Sequence, residues 1–265
     1  MRKLYLLHIP KTGGTSVDYA VSKYMRKNNI PYFPGDWSEY SLDINKTMFI
    51  NSHIGTYPMD NFFDVDVACV FRDPVDRTIS NFLWIFKDVL ADKPEYFKFN
   101  NIIDCFKFYA FEDQNFIAHH NLQTRFVCNS IDKEAFKIMY QPEENLSPFP
   151  EKSGMGILWR DFLVRNERTN LEFAKKQVDS FKIIGVTDNL LPFQLKVHKW
   201  FKDNYGIDLE EPTKNKLRTG QVGYKGILYD TDLIKDMLSV DDIDRIRYNN
   251  SLDVELYQYV KDKLN

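Results

Sequence analysis

The first 26 residues place an apolar run, a glycine turn and a helical pattern in immediate succession, and this stretch constrains the fold most strongly. Residues 4–7 (Leu-Tyr-Leu-Leu) have the length and composition of a short buried strand. Residues 17–26 have the pattern of a helix. The segment between them, residues 8–16, is His-Ile-Pro-Lys-Thr-Gly-Gly-Thr-Ser. This succession predicts an α/β protein whose first helix begins at the glycine turn.

The turn between this strand and this helix has the composition of an anion-binding loop. Backbone N–H groups at a helix N-terminus point at one spot, and the helix dipole favours negative charge there. Two consecutive glycines allow a tight turn and a close approach of the backbone, and a lysine adds positive charge. The candidate ligands are Lys11, Thr12, Gly13, Gly14, Thr15 and Ser16. The P-loop of nucleoside triphosphatases differs, because its lysine follows the last glycine. An ordinary glycine turn is the alternative interpretation.

A second segment repeats the succession of a buried strand and a helix. Residues 66–71 (Asp-Val-Ala-Cys-Val-Phe) predict the strand, and residues 72–80 are Arg-Asp-Pro-Val-Asp-Arg-Thr-Ile-Ser. Pro74 stands where a helix would start, a position that suits proline. We expect Arg72 and Ser80 to converge on one phosphate, because arginine offers a planar fork of donors that matches phosphate oxygens. The alternative is a capped helix with ion pairs on its surface.

The two segments, in this order and each after a strand, resemble the donor-binding segments of sulfotransferases that use 3′-phosphoadenosine 5′-phosphosulfate (PAPS). Pro-Lys-Thr-Gly-Gly-Thr-Ser resembles the family's 5′-phosphosulfate loop. Arg-Asp-Pro-x-x-Arg, with a serine eight residues after the first arginine, resembles its segment for the 3′-phosphate. The sequence looks most like the carbohydrate branch, such as heparan and chondroitin sulfotransferases. The resemblance covers residues 4–82 well and 121–190 loosely, including Asn-Leu-Gln-Thr-Arg at 121–125.

This resemblance implies a fold and a donor site. The fold would have three layers, α/β/α, around a central and mainly parallel sheet, similar to P-loop nucleoside triphosphatases. Lys11 and the amides of residues 12–16 would stabilise the leaving phosphate, and Arg72 with Ser80 would bind the 3′-phosphate. A late basic loop, residues 210–226, would close over the nucleotide. Its candidate ligands are Arg218 and Lys225.

A histidine follows the strand predicted at residues 48–52. A side chain just past the carboxyl end of a strand stands at the ligand-binding edge of an open α/β sheet. Related sulfotransferases place a catalytic histidine on the strand after the phosphosulfate loop and its helix. The resemblance therefore implies that His53 is the base that takes the acceptor proton. A turn histidine held by local hydrogen bonds is the alternative, and His8 would brace the loop or touch the substrate. The other histidines, predicted at surface or structural positions, are His119, His120 and His198.

The remaining patterns predict one domain that spans residues 1–265. The predicted elements are a helix at 74–90, a strand at 182–186, a helix from about Leu190 and an outer, polar amphipathic helix at 241–264. Residues 28–46 form a loop by composition. Its aromatic side chains either cover the core or stack on sugar rings, and they are Tyr32, Phe33, Trp37 and Tyr40.

Composition excludes several other classes of protein. The net charge of -3 gives no general attraction to nucleic acid or to an anionic membrane, so an anion site must be built locally. The three cysteines form no CxxC pair and no disulfide framework, and no cluster has the spacing of metal ligands. Neither a signal peptide nor an apolar run long enough for a bilayer span is present in the chain. We therefore expect a soluble, cytoplasmic protein that uses no metal.

The expected reaction transfers a sulfuryl group in line from PAPS to a hydroxyl of a carbohydrate or glycoconjugate, and leaves adenosine 3′,5′-bisphosphate. A glycan, a glycolipid or a small hydroxylated metabolite remains open as the acceptor. Two alternatives are weighed against this function. A P-loop kinase for nucleotides or small molecules needs Mg²⁺ ligands and a lysine after the glycines. A non-catalytic nucleotide-binding protein of the same fold would not need His53.

Overall fold

The computed structural model describes residues 2–30, 32, 47–53, 55–61, 64–88, 96, 98–113, 120–129, 169–210, 221–224 and 226–265. Four of its strands form a parallel sheet in the order β2-β1-β3-β4. The strands are β1 (Lys3–Leu7), β2 (Phe49–Ser52), β3 (Val65–Phe71) and β4 (Ile183–Val186). Their sequences are almost continuously apolar because both faces of the sheet are covered. The predicted buried strands are confirmed to within about two residues at their ends.

The described residues also form ten helices and a two-stranded hairpin. The first five helices are α1 (Gly14–Lys27), α2 (Tyr57–Asn61), α3 (Pro74–Asp88), α4 (Ile102–Phe111) and α5 (Leu122–Cys128). The later helices are α6 (Leu171–Ser180), α7 (Leu190–Tyr205), α8 (Thr231–Met237), α9 (Val240–Asn249) and α10 (Ser251–Leu264). The antiparallel hairpin joins β5 (Val222–Tyr224) to β6 (Ile227–Tyr229).

Helices cover both faces of the parallel sheet. Alternate side chains of a strand point to opposite faces, so Leu4 and Leu6 pack with α1 and α7. Tyr5 and Leu7 face the other way and pack with α5, α6 and α10. The prediction of a mixed α/β protein with a parallel sheet is thereby confirmed. The specific relation to the P-loop and sulfotransferase fold stays a prediction.

A third apolar cluster lies apart from the two faces of the sheet. It is built from α3 and α4 together with the hairpin, α8 and α9. The four apolar residues predicted on one face of α3 are all buried here, and they are Ile79, Phe82, Leu83 and Phe86. Because nearly every side chain of α3 is buried, this helix forms the centre of the cluster.

Two predictions for the later chain are wrong. The single helix predicted at 241–264 is two helices, which separate at the buried Asn250. The second of them, α10, is amphipathic as predicted, and its buried residues Leu256 and Val260 are part of a core cluster. Part of the predicted basic loop is instead the hairpin of β5 and β6.

Three further features concern composition. The three cysteines are buried and form no disulfide, and Cys69 is a core residue of β3, as predicted. Tyr32 covers the core, whereas Phe33, Trp37 and Tyr40 lie outside the described residues. No helix within the described ranges is long and apolar enough to cross a bilayer.

Candidate active site

The strand order brings the two motif segments to one edge of the sheet. β1 and β3 are neighbours and run parallel, with Leu7 opposite Cys69 near their ends. From β1 the chain continues to β2 on one side, and from β3 it continues to β4 on the other side. This reversal is the topological switch point at which open α/β sheets bind ligands, beyond the carboxyl ends of the strands. Residues 8–13 follow β1 there, and Arg72 follows β3.

The loop after β1 adopts a conformation that is uncommon for a residue with a side chain. Lys11 has φ of 69° and Gly13 has φ of 94°. A positive φ suits glycine, but a lysine in this region is held there by its surroundings. Thr12 supplies one such restraint, since its side chain is buried and its Oγ1 donates to the carbonyl of Ile9 at 2.9 Å. The loop is therefore a fixed turn that ends at the start of α1.

The N-terminus of α1 is open to an anion. Gly13 is the N-cap residue, no side chain caps this helix, and its first turn contains no acidic residue. By contrast, α4, α6, α8 and α9 each begin with a side chain that accepts a first-turn N–H. The amide of Ser16 bonds to the carbonyl of Gly13 at 3.1 Å, and that of Thr12 bonds to Ile9 at 3.4 Å. Among the predicted amides of residues 12–16, those of Gly14 and Thr15, the first two of α1, are therefore the best placed to bind an anion.

Gly14 is required by the close approach of a histidine ring. A Cβ atom added at Gly14 would lie 2.3 Å from Cδ2 of His8. No side chain fits in that space unless the imidazole moves. His8 therefore braces the start of α1, which is one of the two roles expected for it. Its pKa lies well below the ordinary value because it is buried and because His53 and Lys11 are close, although Asn51 opposes these effects.

The loop is also tied to β4 by Thr187, a residue to which sequence analysis assigned no role. The Oγ1 of Thr187 donates to the carbonyl of Thr12 at 2.6 Å and lies 3.2 Å from the carbonyl of Phe71. The amide of Thr187 bonds to the same Phe71 carbonyl at 2.9 Å. Thr187 thus joins the ends of β3 and β4 to the loop after β1. Its sequence signals were its position directly after a buried strand and the resemblance of this segment to the Val-Gly-x-Thr-Glu strand of the sulfotransferase family.

The two predicted donor segments are in direct contact. The Nη1 atom of Arg72 donates to the carbonyl oxygen of Lys11 at 3.2 Å. Burial lowers the pKa of the Arg72 guanidinium, whereas the nearby carboxylates of Asp76, Asp188 and Asp232 favour its charged form. Arginine stays protonated under any such shift. Arg72 therefore presents a fixed positive charge beside the loop.

The start of α3 combines a cap with a buried serine. The Oδ1 of Asp73 accepts from the amides of Val75 and Asp76 at 2.9 Å and 3.1 Å, so the capped helix considered as an alternative is present. Ser80 is 5% exposed. It stands six residues after Pro74, about 9 Å along the helix axis. Among the described residues no hydrogen bond joins Ser80 to Arg72, so their convergence on one phosphate stays a prediction.

His53 lies at the end of β2 in a defined tautomer. Its Nδ1 is hydrogen bonded to the backbone carbonyl of His8, and a carbonyl accepts only from a protonated nitrogen. Nε2 therefore carries the lone pair in the neutral ring. The ring centroid lies 4.4 Å from that of His8 and 6.4 Å from that of Phe126. Burial lowers the pKa of His53 to about 4, although the bond to the His8 carbonyl opposes this shift.

An aromatic side chain that sequence analysis did not identify lies beside the loop lysine. The Nζ of Lys11 is 5.6 Å from the ring centroid of Trp84, within the range of a cation–π interaction. Trp84 is partly exposed on α3. The apolar periodicity of α3 gave no reason to separate this residue from the core.

The remaining candidates are only partly described. His120 and His198 are partly buried, and burial lowers the pKa of each. His119, Arg218 and Lys225 lie outside the described residues. Over the described ranges, no group of three or more His, Cys, Asp or Glu side chains is arranged to hold a metal ion.

Comparison of the chain with models of protein families gives no matching family, and comparison with curated proteins gives no match. The family resemblance therefore rests on the sequence motifs.

Proposed function

We propose that this protein is a sulfotransferase that transfers a sulfuryl group from PAPS to a hydroxyl of an acceptor. One observation carries the proposal. The 3.2 Å hydrogen bond from Arg72 Nη1 to the Lys11 carbonyl brings together two segments that lie about 60 residues apart and that separately resemble the two phosphate-binding segments of one family. Their contact at the switch point of the sheet supports a single ligand with two anionic groups.

The loop after β1 fits a phosphosulfate group. The open N-terminus of α1 offers backbone donors and the positive end of a helix dipole. Lys11 adds a charge, and its strained backbone is held by the surrounding turn. The donor supplies an activated sulfuryl group with a phosphate as the leaving group. In this chain Lys11 stabilises the negative charge that develops at that phosphate, which is usually the largest contribution to catalysis.

Arg72 fits a second phosphate, the 3′-phosphate of the donor. Its guanidinium is directed toward the loop and retains further N–H groups beyond the one bound to the Lys11 carbonyl. A contact to a phosphate that does not react fixes the register of the donor and so the position of the transferred group. Ser80 is the second candidate ligand of this phosphate, as the resemblance implies.

His53 fits the general base. The hydrogen bond from Nδ1 to the His8 carbonyl leaves the lone pair on Nε2, and the low pKa keeps the ring neutral. A neutral imidazole accepts the acceptor's proton as the new bond to sulfur forms. A pKa of about 4 is low for this task, and the negative charge of a bound donor raises it.

The proposed acceptor is a hydroxyl of a carbohydrate or glycoconjugate, and this class rests on the resemblance to the carbohydrate branch. The direct test is transfer of label from radiolabelled PAPS across a panel of glycans, glycolipids and small hydroxylated molecules. We expect transfer to at least one acceptor, with or without a chelator. Transfer of phosphate from a nucleoside triphosphate that requires Mg²⁺, without any transfer from PAPS, would contradict the proposal and favour a kinase.

A further inference from the structure

The backbone of Arg72 is held at two points by one buried side chain. The amide of Arg72 donates to Oε1 of Gln123 at 2.9 Å, and Nε2 of Gln123 donates to the carbonyl of Arg72 at 2.8 Å. Gln123 is 0% exposed and lies in the first turn of α5. Arg72 lies one residue beyond the end of β3. There the side-chain amide of Gln123 makes the two hydrogen bonds that a peptide group of a neighbouring strand would make. Because the backbone amide and the backbone carbonyl of Arg72 are both hydrogen bonded, the direction in which its side chain leaves the backbone is fixed as well.

Gln123 is fixed in turn by a carboxylate from another helix. Asp253, which is 0% exposed on α10, accepts the amide of Gln123 at 3.0 Å with Oδ2. Its Oδ1 accepts the amide and the hydroxyl of Thr124, each at 2.8 Å. The first-turn amides of α5 are therefore capped by Asp253 rather than by a residue of α5 itself.

The capping is exchanged between the two helices. Asn121 precedes α5 with φ of 53°, and its Oδ1 accepts the amides of Leu252 and Asp253 in the first turn of α10, at 3.0 Å and 3.3 Å. The amide of Asn121 donates to Oδ1 of Asn250 at 3.0 Å. Each helix start is thus fixed by a side chain of the other, and the pair cannot shift without breaking several buried hydrogen bonds.

Two arginines lie close to Asp253. Arg77 of α3 is almost fully buried, and the charge of Asp253 favours its protonated form against the effect of burial. At Arg125 of α5, burial likewise lowers the pKa and the charge of Asp253 raises it. Asp253 therefore joins α10 to α5 by hydrogen bonds and lies close to Arg77 of α3.

We infer that Gln123 is a positioning residue for Arg72, and that Asp253 positions Gln123. The inference rests on the proposed function, because the role of Arg72 is to bind the second phosphate of the donor. Gln123 does not touch the ligand. It holds the Arg72 backbone so that the guanidinium stays beside the Lys11 carbonyl and meets that phosphate without reorganisation.

The test compares two ligands that differ by one phosphate. Calorimetry gives the ratio of affinities for adenosine 3′,5′-bisphosphate and for 5′-AMP in the wild type and in Gln123→Met. Methionine has a similar volume but makes neither hydrogen bond to Arg72. We expect the ratio to fall roughly tenfold, since one hydrogen bond to a charged group is misaligned. The affinity for 5′-AMP is expected to stay unchanged. The matched control is Gln194→Met, which removes a buried glutamine of α7 and should leave the ratio unchanged.

A double-mutant cycle separates positioning from a general loss of stability. In the Arg72→Ala background, Gln123→Met is expected to produce no further fall in the ratio, because the group that it positions is absent. A fall of the same size in that background would overturn the inference. An unchanged ratio in Gln123→Met alone would also overturn it and would leave the proposed function standing. A wild type that binds both ligands equally would overturn the role of Arg72 and this inference together.

A second variant serves if Gln123→Met does not fold. Gln123→Glu keeps the acceptor for the Arg72 amide, but its carboxylate repels the Arg72 carbonyl. Burial raises the pKa of such a carboxyl, and the protonated form regains a donor. The ratio, relative to wild type at the same pH, should therefore be low at about pH 7.5 and recover at about pH 5.5. A ratio that equals the wild-type value at both pH values would overturn the inference.

Discussion

Lys11 combines a positive φ with a charged side chain that lies against an aromatic ring. A lysine that served only as a turn residue would be replaced at lower conformational cost by glycine or asparagine. The conformation is kept by contacts from the residues that follow β3 and β4, since Arg72 bonds to the Lys11 carbonyl and Thr187 bonds to the Thr12 carbonyl. These contacts place the ammonium group by fixing the backbone on which it stands.

We expect Lys11→Ala to lower kcat more than it lowers affinity for PAPS. The lysine charge matters most when the leaving phosphate gains charge, so the loss in kcat should be about 10²-fold or more. Steady-state kinetics at saturating PAPS gives kcat, and calorimetry gives the affinity. Lys23→Ala is the control, because Lys23 is an exposed lysine of α1, the helix that follows the loop, and is paired with Glu210. A normal kcat in Lys11→Ala would contradict the assigned role.

His53 predicts a dependence of activity on pH. The ring must be neutral to accept a proton, so kcat/KM should fall as the pH drops through the pKa of the free protein, about 4. Bound phosphates favour the protonated ring, so the acidic limb of kcat should lie at higher pH than that of kcat/KM. His53→Ala should bind PAPS normally and lose about 10²–10⁴-fold in kcat. Near-normal turnover with an unchanged acidic limb would contradict this role and leave the donor site intact.

At the scale of elements, the start of α1 depends on the contact between Gly14 and the His8 ring. Alanine at a helix position ordinarily stabilises a protein relative to glycine, by about 0.5–1 kcal/mol. Here the added Cβ meets an imidazole that is packed against His53. The gain in helix propensity and the clash with the His8 ring therefore change the free energy of unfolding in opposite directions. The 2.3 Å approach makes the clash the larger effect.

We expect Gly14→Ala to lower the free energy of unfolding by about 1–3 kcal/mol, because the His8 ring must move out of a packed site. Urea denaturation measures the change. Gly223→Ala is the control, since no atom lies within 4 Å of a Cβ added there and its φ is not positive. A Gly14→Ala protein as stable as the wild type would show that His8 does not brace the helix.

The predictions from sequence succeeded where one local signal decided the element. An apolar run between turn residues is enough to identify β1, β3 and β4, and Pro74 marks the start of α3. The break at Asn250 was not predictable, because the amphipathic pattern continues through it and the residue is fixed by a contact with Asn121, 129 positions away. The hairpin at residues 222–229 was missed because its strands have three residues each, too few for a pattern to appear in the sequence.

The residues of the candidate site also divide into those that local sequence signals indicate and those whose roles depend on the fold. Lys11, Arg72 and His53 were predicted as site residues because each lies in a motif or directly after a strand. Trp84, Thr187 and Gln123 were not assigned, because their roles come from contacts between distant parts of the chain: with Lys11, with the Thr12 carbonyl and with the Arg72 backbone. Sequence patterns therefore indicated the candidate ligand-binding and catalytic groups, whereas the residues that hold them were identified from contacts in the folded structure.

For the whole molecule, burial of histidines predicts how stability depends on pH. The pKa values of His8, His53, His120 and His198 are all lowered in the folded protein. In the unfolded chain these four side chains take up protons near pH 6.5, whereas in the folded protein they do so only at lower pH. The free energy of unfolding should therefore be level above about pH 7 and fall as the pH drops from about 6.5 toward 4.

Urea denaturation between about pH 7.5 and 5 tests this dependence, in a range where most carboxyl groups stay ionised in both states. His53→Gln should make the decline shallower, because its side chain no longer titrates. A free energy of unfolding that rises over this range would contradict the burial of the histidines.

The central claim is that one ligand with two anionic groups occupies the edge of the sheet where the loop after β1 meets Arg72. Calorimetry with adenosine 3′,5′-bisphosphate and 5′-AMP tests it most directly, on the wild type, Arg72→Ala and the surface control Arg247→Ala. We predict that the wild type and the control bind the bisphosphate at least roughly tenfold more tightly than 5′-AMP, and that Arg72→Ala binds both equally. Equal affinities of the two nucleotides for the wild type would contradict the claim.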